Sequence, residues 1–425
     1  MIISFSIENF GSIKSKQTVS FEADKSTHLE DAYLYHAPNG LRLLKLILIY
    51  GANASGKTTV LNAIEFLRDL VLDPAEKKTD ELKFNPFLFD NKSPKQDSKI
   101  SIDFLQNEVK YSYEVEFSSK AVVNEKLLFF NPNKAIVFKR TTDTKKQFSK
   151  ITFGSKIKVE KNFKNVLEAN TLWNNTVFGG YLKTNIEQIE LKEVTDWFDK
   201  YLHPIVTPKT SLHNFVGKKV DNSEVKEEEL VKIIKKADFN ISGIKISEEE
   251  GMPDDVEKFF KALNYPDEQI EKMKKNPPKK IEFQHTVDGS QYFLPIELES
   301  EGTKRYFEFS GLLALLIRNS IAVPIDELES SLHPELYIHF ILSFLMNSNK
   351  SQIIATTHNR ELLDNKDIFR NDAIWFTNKT EHCSTEIYSL ADFDTTVIRD
   401  TTNIYNAYKS GKLKATPNLS DYYID

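Results

Sequence analysis

The feature that most constrains this chain is an apolar run followed at once by a glycine-framed loop. The run LLKLILIY, residues 43–50, leads into GANASGKT, residues 51–58, and helical spacing of apolar residues then continues to about Val71. Apolar residues without alternation predict a strand that is buried on both faces. Strand, glycine loop and helix therefore follow one another in the order that a phosphate-binding loop requires.

The loop fits the pattern G-x-x-x-x-G-K-[ST], in which successive backbone N–H groups point inward and cradle phosphates. Lys57 is expected to reach the β- and γ-phosphates of a nucleotide, and the hydroxyl of Thr58 is expected to bind Mg²⁺. The helix that follows would direct its positive end at the same anion. A glycine turn between a strand and a helix is the structural alternative. The residues that we expect at the nucleotide are Gly51, Asn53, Ala54, Ser55, Gly56, Lys57, Thr58 and Thr59.

A loop of this kind requires a carboxylate at the end of another buried strand, because magnesium must be held opposite the phosphates. The best candidate is IAVPIDEL, residues 321–328. Asp326 is expected on the metal side, and Glu327 is placed to orient or deprotonate the attacking water. Pro324 fits poorly with a central strand. Two adjacent acids could instead cap the next helix.

Two further segments lie close to this acidic pair in the sequence. Ser300 and Gly302 directly precede a helical pattern, where N–H groups could meet a γ-phosphate, although a helix N-cap explains them equally well. His358 ends the buried strand SQIIATTH, and its imidazole could form a hydrogen bond with a γ-phosphate or with the nearby water. A purely structural histidine is the alternative.

The rest of the chain predicts the fold class. Residues 99–130 alternate apolar and polar letters, which predicts an antiparallel meander that continues to about residue 153. Residues 161–275 follow mostly helical spacing, and after Ser300 helices alternate with buried strands, as in a parallel sheet. We therefore expect an α/β protein with a mixed sheet core, an antiparallel β lobe and a compact helical insert. The expected division is an N-terminal lobe at 1–160, the insert at 161–290 and a C-terminal lobe at 291–425.

Composition excludes several classes of protein. A chain of 425 residues with 40% apolar residues is expected to be globular, and the single cysteine, Cys383, excludes an intramolecular disulfide. The net charge of -6 argues against the fully basic surface of a nucleic-acid coat, although local basic clusters leave contact with nucleic acid open. No apolar run approaches the roughly 20 residues of a membrane span, and no signal-peptide pattern is present. We expect a soluble, cytoplasmic protein without membrane attachment.

Taken in this order, the segments resemble the ABC-type ATPase heads of the SMC, Rad50, RecF and OLD group. FSIENFGSIK resembles their first strand, GANASGKTT their Walker A loop and ESEGT a divergent signature. IDELESSLHPEL resembles Walker B with the D-loop, and TTH resembles the switch histidine motif. More narrowly, ESEGTKR, DAIWFT and NAYKSGKLKATPNL are similar to blocks in AAA/ABC-like ATPases of bacterial phage-defence and abortive-infection operons.

This resemblance implies a P-loop NTPase fold of the ABC-ATPase type that binds and hydrolyses ATP with Mg²⁺. It makes Asp326 the Mg²⁺-side acid, Glu327 the catalytic carboxylate and His358 the switch histidine. Ser300 and Gly302 would act in trans, on nucleotide held by a second subunit. Ser330 and Ser331 would lie in the loop that meets that subunit. The signature departs from that of ABC transporters, and no Q-loop glutamine can be placed.

The resemblance also implies a function. Two or more copies of the chain would form a homodimer or higher oligomer by sandwiching ATP, and would control a separate effector such as a nuclease or toxin in anti-phage defence. The alternative is a RecF- or Rad50-like repair or recombination ATPase that clamps DNA, although the expected insert is compact rather than a long coiled coil. A transporter ATPase and a nucleoside kinase fit the order of the motifs less well.

Overall fold

The computed structural model describes residues 1–237, 240–248, 271, 277, 279–393 and 403–416. The chain divides into two compact units. The first unit consists of Met1–Pro208, Asn319–Leu328 and Ser348–Asp425. The second unit consists of Lys209–Arg318 and Glu329–Asn347. Within the described ranges, no helix is both long enough and apolar enough to span a bilayer.

Strands and helices are numbered in chain order over the described residues. The strands are β1 (Ile2–Glu8), β2 (Gln17–Ser20), β3 (Leu34–His36), β4 (Arg42–Leu44), β5 (Leu46–Gly51), β6 (Ser98–Gln106), β7 (Val109–Phe117), β8 (Val122–Phe130), β9 (Lys134–Asp143), β10 (Phe148–Phe153), β11 (Gly243–Glu248), β12 (Lys279–Val287), β13 (Ser290–Pro295), β14 (Ala322–Ile325), β15 (Gln352–Thr356), β16 (Ile374–Lys379) and β17 (Thr385–Ser389). The helices are α1 (Glu30–Tyr33), α2 (Lys57–Leu72), α3 (Lys161–Asn170), α4 (Val177–Tyr181), α5 (Ile189–Asp196), α6 (His213–Asp221), α7 (Glu227–Lys236), α8 (Glu301–Arg318), α9 (Pro334–Asn347) and α10 (Ile404–Lys409).

The first unit contains a five-stranded sheet in the order β14-β15-β5-β16-β17. Its first four strands are parallel, and β17 runs antiparallel to β16. The apolar residues of β5 are fully buried, which explains why they do not alternate with polar ones. Because β14, β15 and β5 are parallel, the residues that follow them begin at the same edge of the sheet. The predicted mixed α/β core is confirmed.

The prediction of a single strand at residues 43–50 is wrong, because two strands are separated by one residue, Lys45. β4 ends at Leu44 and pairs with β3, whereas β5 begins at Leu46 and belongs to the five-stranded sheet. Lys45 lies between them, is 3% exposed, and donates a hydrogen bond from Nζ to the Ser348 carbonyl over 3.0 Å. Burial lowers the pKa of Lys45 to about 8. A single lysine within an apolar run does not reveal this change of partner.

The first unit also contains a seven-stranded antiparallel sheet in the order β10-β9-β8-β7-β6-β1-β2. The predicted meander is confirmed by β6 to β10, each of which pairs with the next. At its centre Glu125 and Arg140 form a fully buried ion pair over 3.0 Å, and the Tyr113 hydroxyl donates to Glu125 over 2.8 Å. This sheet is the predicted antiparallel β lobe.

One edge of the five-stranded sheet is covered by an irregular segment, Leu202–Val206. The Val206 N–H donates to the Pro324 carbonyl over 2.9 Å, and the Asp326 N–H donates to the Val206 carbonyl over 2.8 Å. Backbone groups alternate in direction along a strand, so Pro324 faces this segment rather than β15. The missing N–H of Pro324 therefore costs no hydrogen bond within the sheet, which resolves its poor fit to a central strand.

The second unit combines α6 to α9 with a three-stranded antiparallel sheet in the order β11-β12-β13. The predicted insert is thus not helical throughout, because β11 pairs with β12 through Ile244↔Phe283 and Ile246↔Ile281. Part of the predicted insert, residues 249–270, lies outside the described residues. α3 to α5 belong to the first unit, and the predicted three-part division of the chain stays a prediction.

Candidate functional site

The phosphate loop, residues 51–58, joins β5 to α2 in the first unit. Ala54 and Gly56 have left-handed φ angles of 59° and 103°, and such turns occur where successive N–H groups form an anion-binding concavity. A Cβ on Gly51 would lie 2.3 Å from Thr377 Oγ1, and one on Gly56 would lie 2.2 Å from Thr385 Oγ1. Both glycines are therefore required by packing around the loop as well as by its path.

Hydroxyl groups from residues far away in the sequence form hydrogen bonds around the same loop. Ser55 Oγ forms a hydrogen bond with Thr377 Oγ1 over 2.6 Å, and Thr385 Oγ1 lies 2.8 Å from the Ser55 carbonyl. The Thr385 hydroxyl also lies 2.7 Å from Ser12 Oγ, which in turn lies 3.1 Å from Thr59 Oγ1. Sequence reasoning missed Ser12, Thr377 and Thr385, because single serine and threonine residues in loops and strands have no distinctive sequence pattern.

The start of α2 has the charge distribution of an anion site. Lys57 is buried, and its Nζ donates to the Gly51 carbonyl over 2.9 Å and to the Ala52 carbonyl over 3.1 Å. Among the described residues no side chain caps α2, and its first turn contains no acidic residue. The positive end of the helix and the lysine amine are thus both directed to the loop. These residues fit the phosphates of a nucleotide.

A Gly56→Ala substitution tests the packing of this loop. The new Cβ would meet Thr385 while φ is positive, so we expect the free energy of unfolding to fall by about 1–3 kcal/mol. Gly40→Ala is the matched control, since Gly40 has φ +86 but nothing within 4 Å of a new Cβ. Urea unfolding of both variants separates backbone strain from the clash. An equal loss in the two variants would contradict the proposed packing role.

Asp326 lies directly after β14 and contacts the phosphate loop. Thr58 Oγ1 lies 3.2 Å from Asp326 Oδ1 and 3.1 Å from Oδ2, although the two residues are 268 positions apart in the sequence. A hydroxyl and a carboxylate are the oxygen ligands that Mg²⁺ uses at nucleotide sites, where phosphates and water complete its coordination. Thr58 and Asp326 therefore fit a Mg²⁺ ion.

Glu327 is exposed and has a left-handed φ of 49°. Such a backbone angle costs about 1–3 kcal/mol for a residue other than glycine, and it persists only where the surroundings hold it. Thr356 supplies part of that support. Its hydroxyl lies 2.5 Å from Asp326 Oδ1, and it accepts the Glu327 N–H over 2.8 Å. Sequence reasoning missed Thr356, although it stands in the same TTH segment as His358.

His358 is exposed and follows β15, the strand between β14 and β5. Its main chain therefore begins at the sheet edge where Asp326 and the phosphate loop begin. The catalytic roles of Glu327 and His358 stay predictions.

Ser300 and Gly302 belong to the second unit, together with Ser330 and Ser331. Ser300 Oγ accepts the Thr303 N–H over 3.1 Å at the start of α8, which is the N-cap arrangement given as the alternative from the sequence. A Cβ on Gly302 would lie 3.3 Å from the Ser331 carbonyl, and Ser331 has a φ of 65°. The segment that the resemblance expects to act in trans therefore adjoins the loop that it expects to meet the second subunit, and both lie within this unit. The role of these segments at a nucleotide stays a prediction.

One protein family matches more than half of this chain. The family described as "AAA domain, putative AbiEii toxin, Type IV TA system" matches residues 46–211 and 214–364. The chain belongs to this family. The matched ranges of this AAA family protein include the phosphate loop, Asp326, Glu327 and His358, which makes the chain a P-loop NTPase. No curated protein sequence matches it significantly.

Solved structures of SMC heads overlap this AAA family protein along most of its length. An SMC head bound to the C-winged helix domain of ScpA has 13% identity and a TM-score of 0.44, covering 91% of this chain and 97% of its own. The SMC head domain from Thermotoga maritima has 13% identity and a TM-score of 0.39, covering 91% and 98%. An SMC head with an extended coiled coil, bound to the C-terminal domain of ScpA derived from Pyrococcus furiosus, has 12% identity and a TM-score of 0.38, covering 97% and 99%.

Proposed function

We propose that this AAA family protein binds ATP with Mg²⁺ at the phosphate loop and hydrolyses it. The observation that carries the proposal is the contact of Thr58 with Asp326, because it joins a phosphate loop to a carboxylate at the end of β14, a parallel strand of the same sheet. The family match supports the same function. Mg²⁺, when bound, would neutralise charge that develops on the phosphates.

Each candidate site residue of the first unit then has a defined role in this reaction. Lys57 binds the β- and γ-phosphates, and the N–H groups of the loop hold the same anion. Thr58 and Asp326 would hold the metal ion. Glu327 orients the attacking water and takes a proton from it, since a carboxylate beside the γ-phosphate is suited to general-base catalysis. His358 forms a hydrogen bond with the γ-phosphate or with that water.

We further propose that two copies of the chain complete each other's sites and that ATP-dependent closure controls a separate effector. Ser300 and Gly302 supply the contacts in trans, and the adjoining Ser330 and Ser331 lie in the same interface. The adjacency of Gly302 and Ser331 within the second unit supports this, because one surface would then present both segments. The effector in this proposal is a nuclease or toxin that acts in phage defence. The family description supports only the connection to a toxin–antitoxin system, which it names together with a putative toxin.

The in-trans site predicts that hydrolysis per subunit rises with protein concentration. At concentrations where subunits dissociate, each copy lacks the residues of its partner, so the rate per subunit should fall toward zero on dilution. Steady-state phosphate release is measured across the dissociation range, which native mass measurements define. A variant carrying Gly302→Asp should stay inactive alone. In an equimolar mixture with Lys57→Ala, each mixed dimer has one complete site, so about a quarter of all sites should regain activity. A rate per subunit that does not change on dilution would contradict the in-trans arrangement.

The nature of the partner is tested by two binding measurements. Co-purification of the protein with the product of an adjacent nuclease or toxin gene, with and without ATP, should show an ATP-dependent complex. A filter-binding titration with duplex DNA at two salt concentrations should show no ATP-dependent affinity. Tight, salt-sensitive and ATP-dependent DNA binding would instead favour a DNA clamp.

A further inference from the structure

The chain turns sharply at the point where the candidate magnesium ligand and the candidate base meet. β14 ends at Ile325, Asp326 contacts the phosphate loop, and Glu327 takes a left-handed backbone angle. Glutamate has no intrinsic preference for that angle, so the turn must be imposed by neighbouring groups. The position of the Glu327 carboxylate depends on this turn.

One residue makes hydrogen bonds to three consecutive residues of the turn. The Thr356 hydroxyl donates a hydrogen bond to Asp326 Oδ1 over 2.5 Å. The same oxygen accepts the Glu327 N–H over 2.8 Å, and the Thr356 carbonyl accepts the Leu328 N–H over 3.0 Å. A hydroxyl can donate once and accept twice, so both of its bonds form together.

Thr356 is buried, so bulk water cannot replace the hydrogen bonds of its hydroxyl. It is the last residue of β15, it is 0% exposed, and the register pairs its neighbour Ala355 with Ile325 of β14. Bulk water does not reach the hydroxyl. Replacing it with a methyl group would leave the Glu327 N–H and one Asp326 oxygen without this partner, and buried polar groups without a partner are costly. The backbone bond to Leu328 would remain.

We propose that Thr356 is a positioning residue that couples the metal-side acid to the catalytic carboxylate. Its hydroxyl fixes the rotation of the Asp326 carboxylate toward Thr58 and, through the N–H of the next residue, fixes the turn that places Glu327. In this role the hydroxyl acts through the two acids rather than on the nucleotide. This inference rests on the proposed ATPase function and names the group that aligns its two acids.

The test compares Thr356→Val, which keeps the shape, with Thr356→Ser, which keeps the hydroxyl. We expect Thr356→Val to lower kcat about 10- to 100-fold while the ATP concentration for half-saturation changes less than about threefold. It should also raise the Mg²⁺ concentration for half-maximal activity, because Asp326 is no longer fixed. Thr356→Ser should retain kcat within about threefold of the unaltered protein. A general loss of stability would not produce a selective shift in Mg²⁺ dependence.

Thr195→Val provides the matched control. Thr195 is also a buried threonine of the first unit, and its hydroxyl donates to the Leu191 carbonyl over 2.7 Å within α5. Its loss should leave both kcat and the Mg²⁺ dependence unchanged. Thermal unfolding of every variant shows whether the folded state persists.

Several outcomes would overturn the inference. Turnover of Thr356→Val within about twofold of the unaltered protein would do so, as would an equal loss in the serine and valine variants. If only the valine variant fails to fold, Thr356→Ala takes its place in the comparison with serine. If that variant also fails to fold, the hydroxyl is required for folding and the positioning role is rejected. An unaltered protein that neither binds nor hydrolyses ATP contradicts the proposed function itself.

Discussion

Replacing Lys57 with alanine is expected to abolish tight ATP binding. The amine is buried and held by the carbonyls of Gly51 and Ala52 over 2.9 and 3.1 Å, so it is poised at the loop without the freedom of a surface lysine. Loss of a charge-assisted contact to phosphate should weaken binding about 100-fold or more, equivalent to roughly 3 kcal/mol. Titration with a fluorescent ATP analogue measures the change directly.

Lys45→Ala is the matched control for this variant. Lys45 is a buried lysine of the same unit whose amine also binds a backbone carbonyl, that of Ser348. Its removal should leave ATP affinity unchanged in the fraction of protein that is folded, which thermal unfolding quantifies. Wild-type affinity in the Lys57 variant would mean that Lys57 does not contact the nucleotide phosphates.

Replacing Glu327 with glutamine is expected to separate binding from turnover. The substitution keeps the size of the side chain and leaves the Thr356–Asp326 contact in place, so ATP and Mg²⁺ should still bind. Without a base, kcat should fall about 10²- to 10⁴-fold, while the dissociation constant for ATP stays within about threefold. Single-turnover hydrolysis and equilibrium binding, measured on the same preparation, show the two effects side by side.

Glu361→Gln controls for the loss of one negative charge near this edge of the sheet. Glu361 is exposed and lies three residues after His358, and we assign it no role at the nucleotide. Its substitution should leave turnover unchanged. Undiminished hydrolysis in the Glu327 variant would show that another group acts as the base. A loss of ATP binding there would instead place Glu327 among the binding residues.

The sequence predicts the elements of the site better than the way in which they are supported. The phosphate loop and the acidic pair were predicted because each has a short pattern whose letters follow from its chemistry. The contact of Thr58 with Asp326 depends on parallel pairing of β14, β15 and β5. A parallel sheet is expected from the alternation of helices and buried strands after Ser300, whereas the order of its strands is not.

The supporting residues could not be predicted in the same way. Ser12 and Thr385 meet across 373 positions, and Thr356 reaches a neighbouring strand end, so their contacts depend on strand order and register. Likewise, β1 joins the antiparallel sheet beside β6 through Ile7↔Ile100, which no local pattern indicates. The sequence pattern also failed to distinguish β11 from the helices of the insert, because a strand of six residues contains too few repeats of an alternating pattern.

The covered edge of β14 restricts how copies of this protein can associate. An open strand at that position would offer free N–H and C=O groups to any extended chain, which is a common route to aggregation. Here Leu202–Val206 occupies those groups and Pro324 has no N–H to offer. Strand addition at this edge of the sheet is therefore blocked beside Asp326, the candidate magnesium ligand.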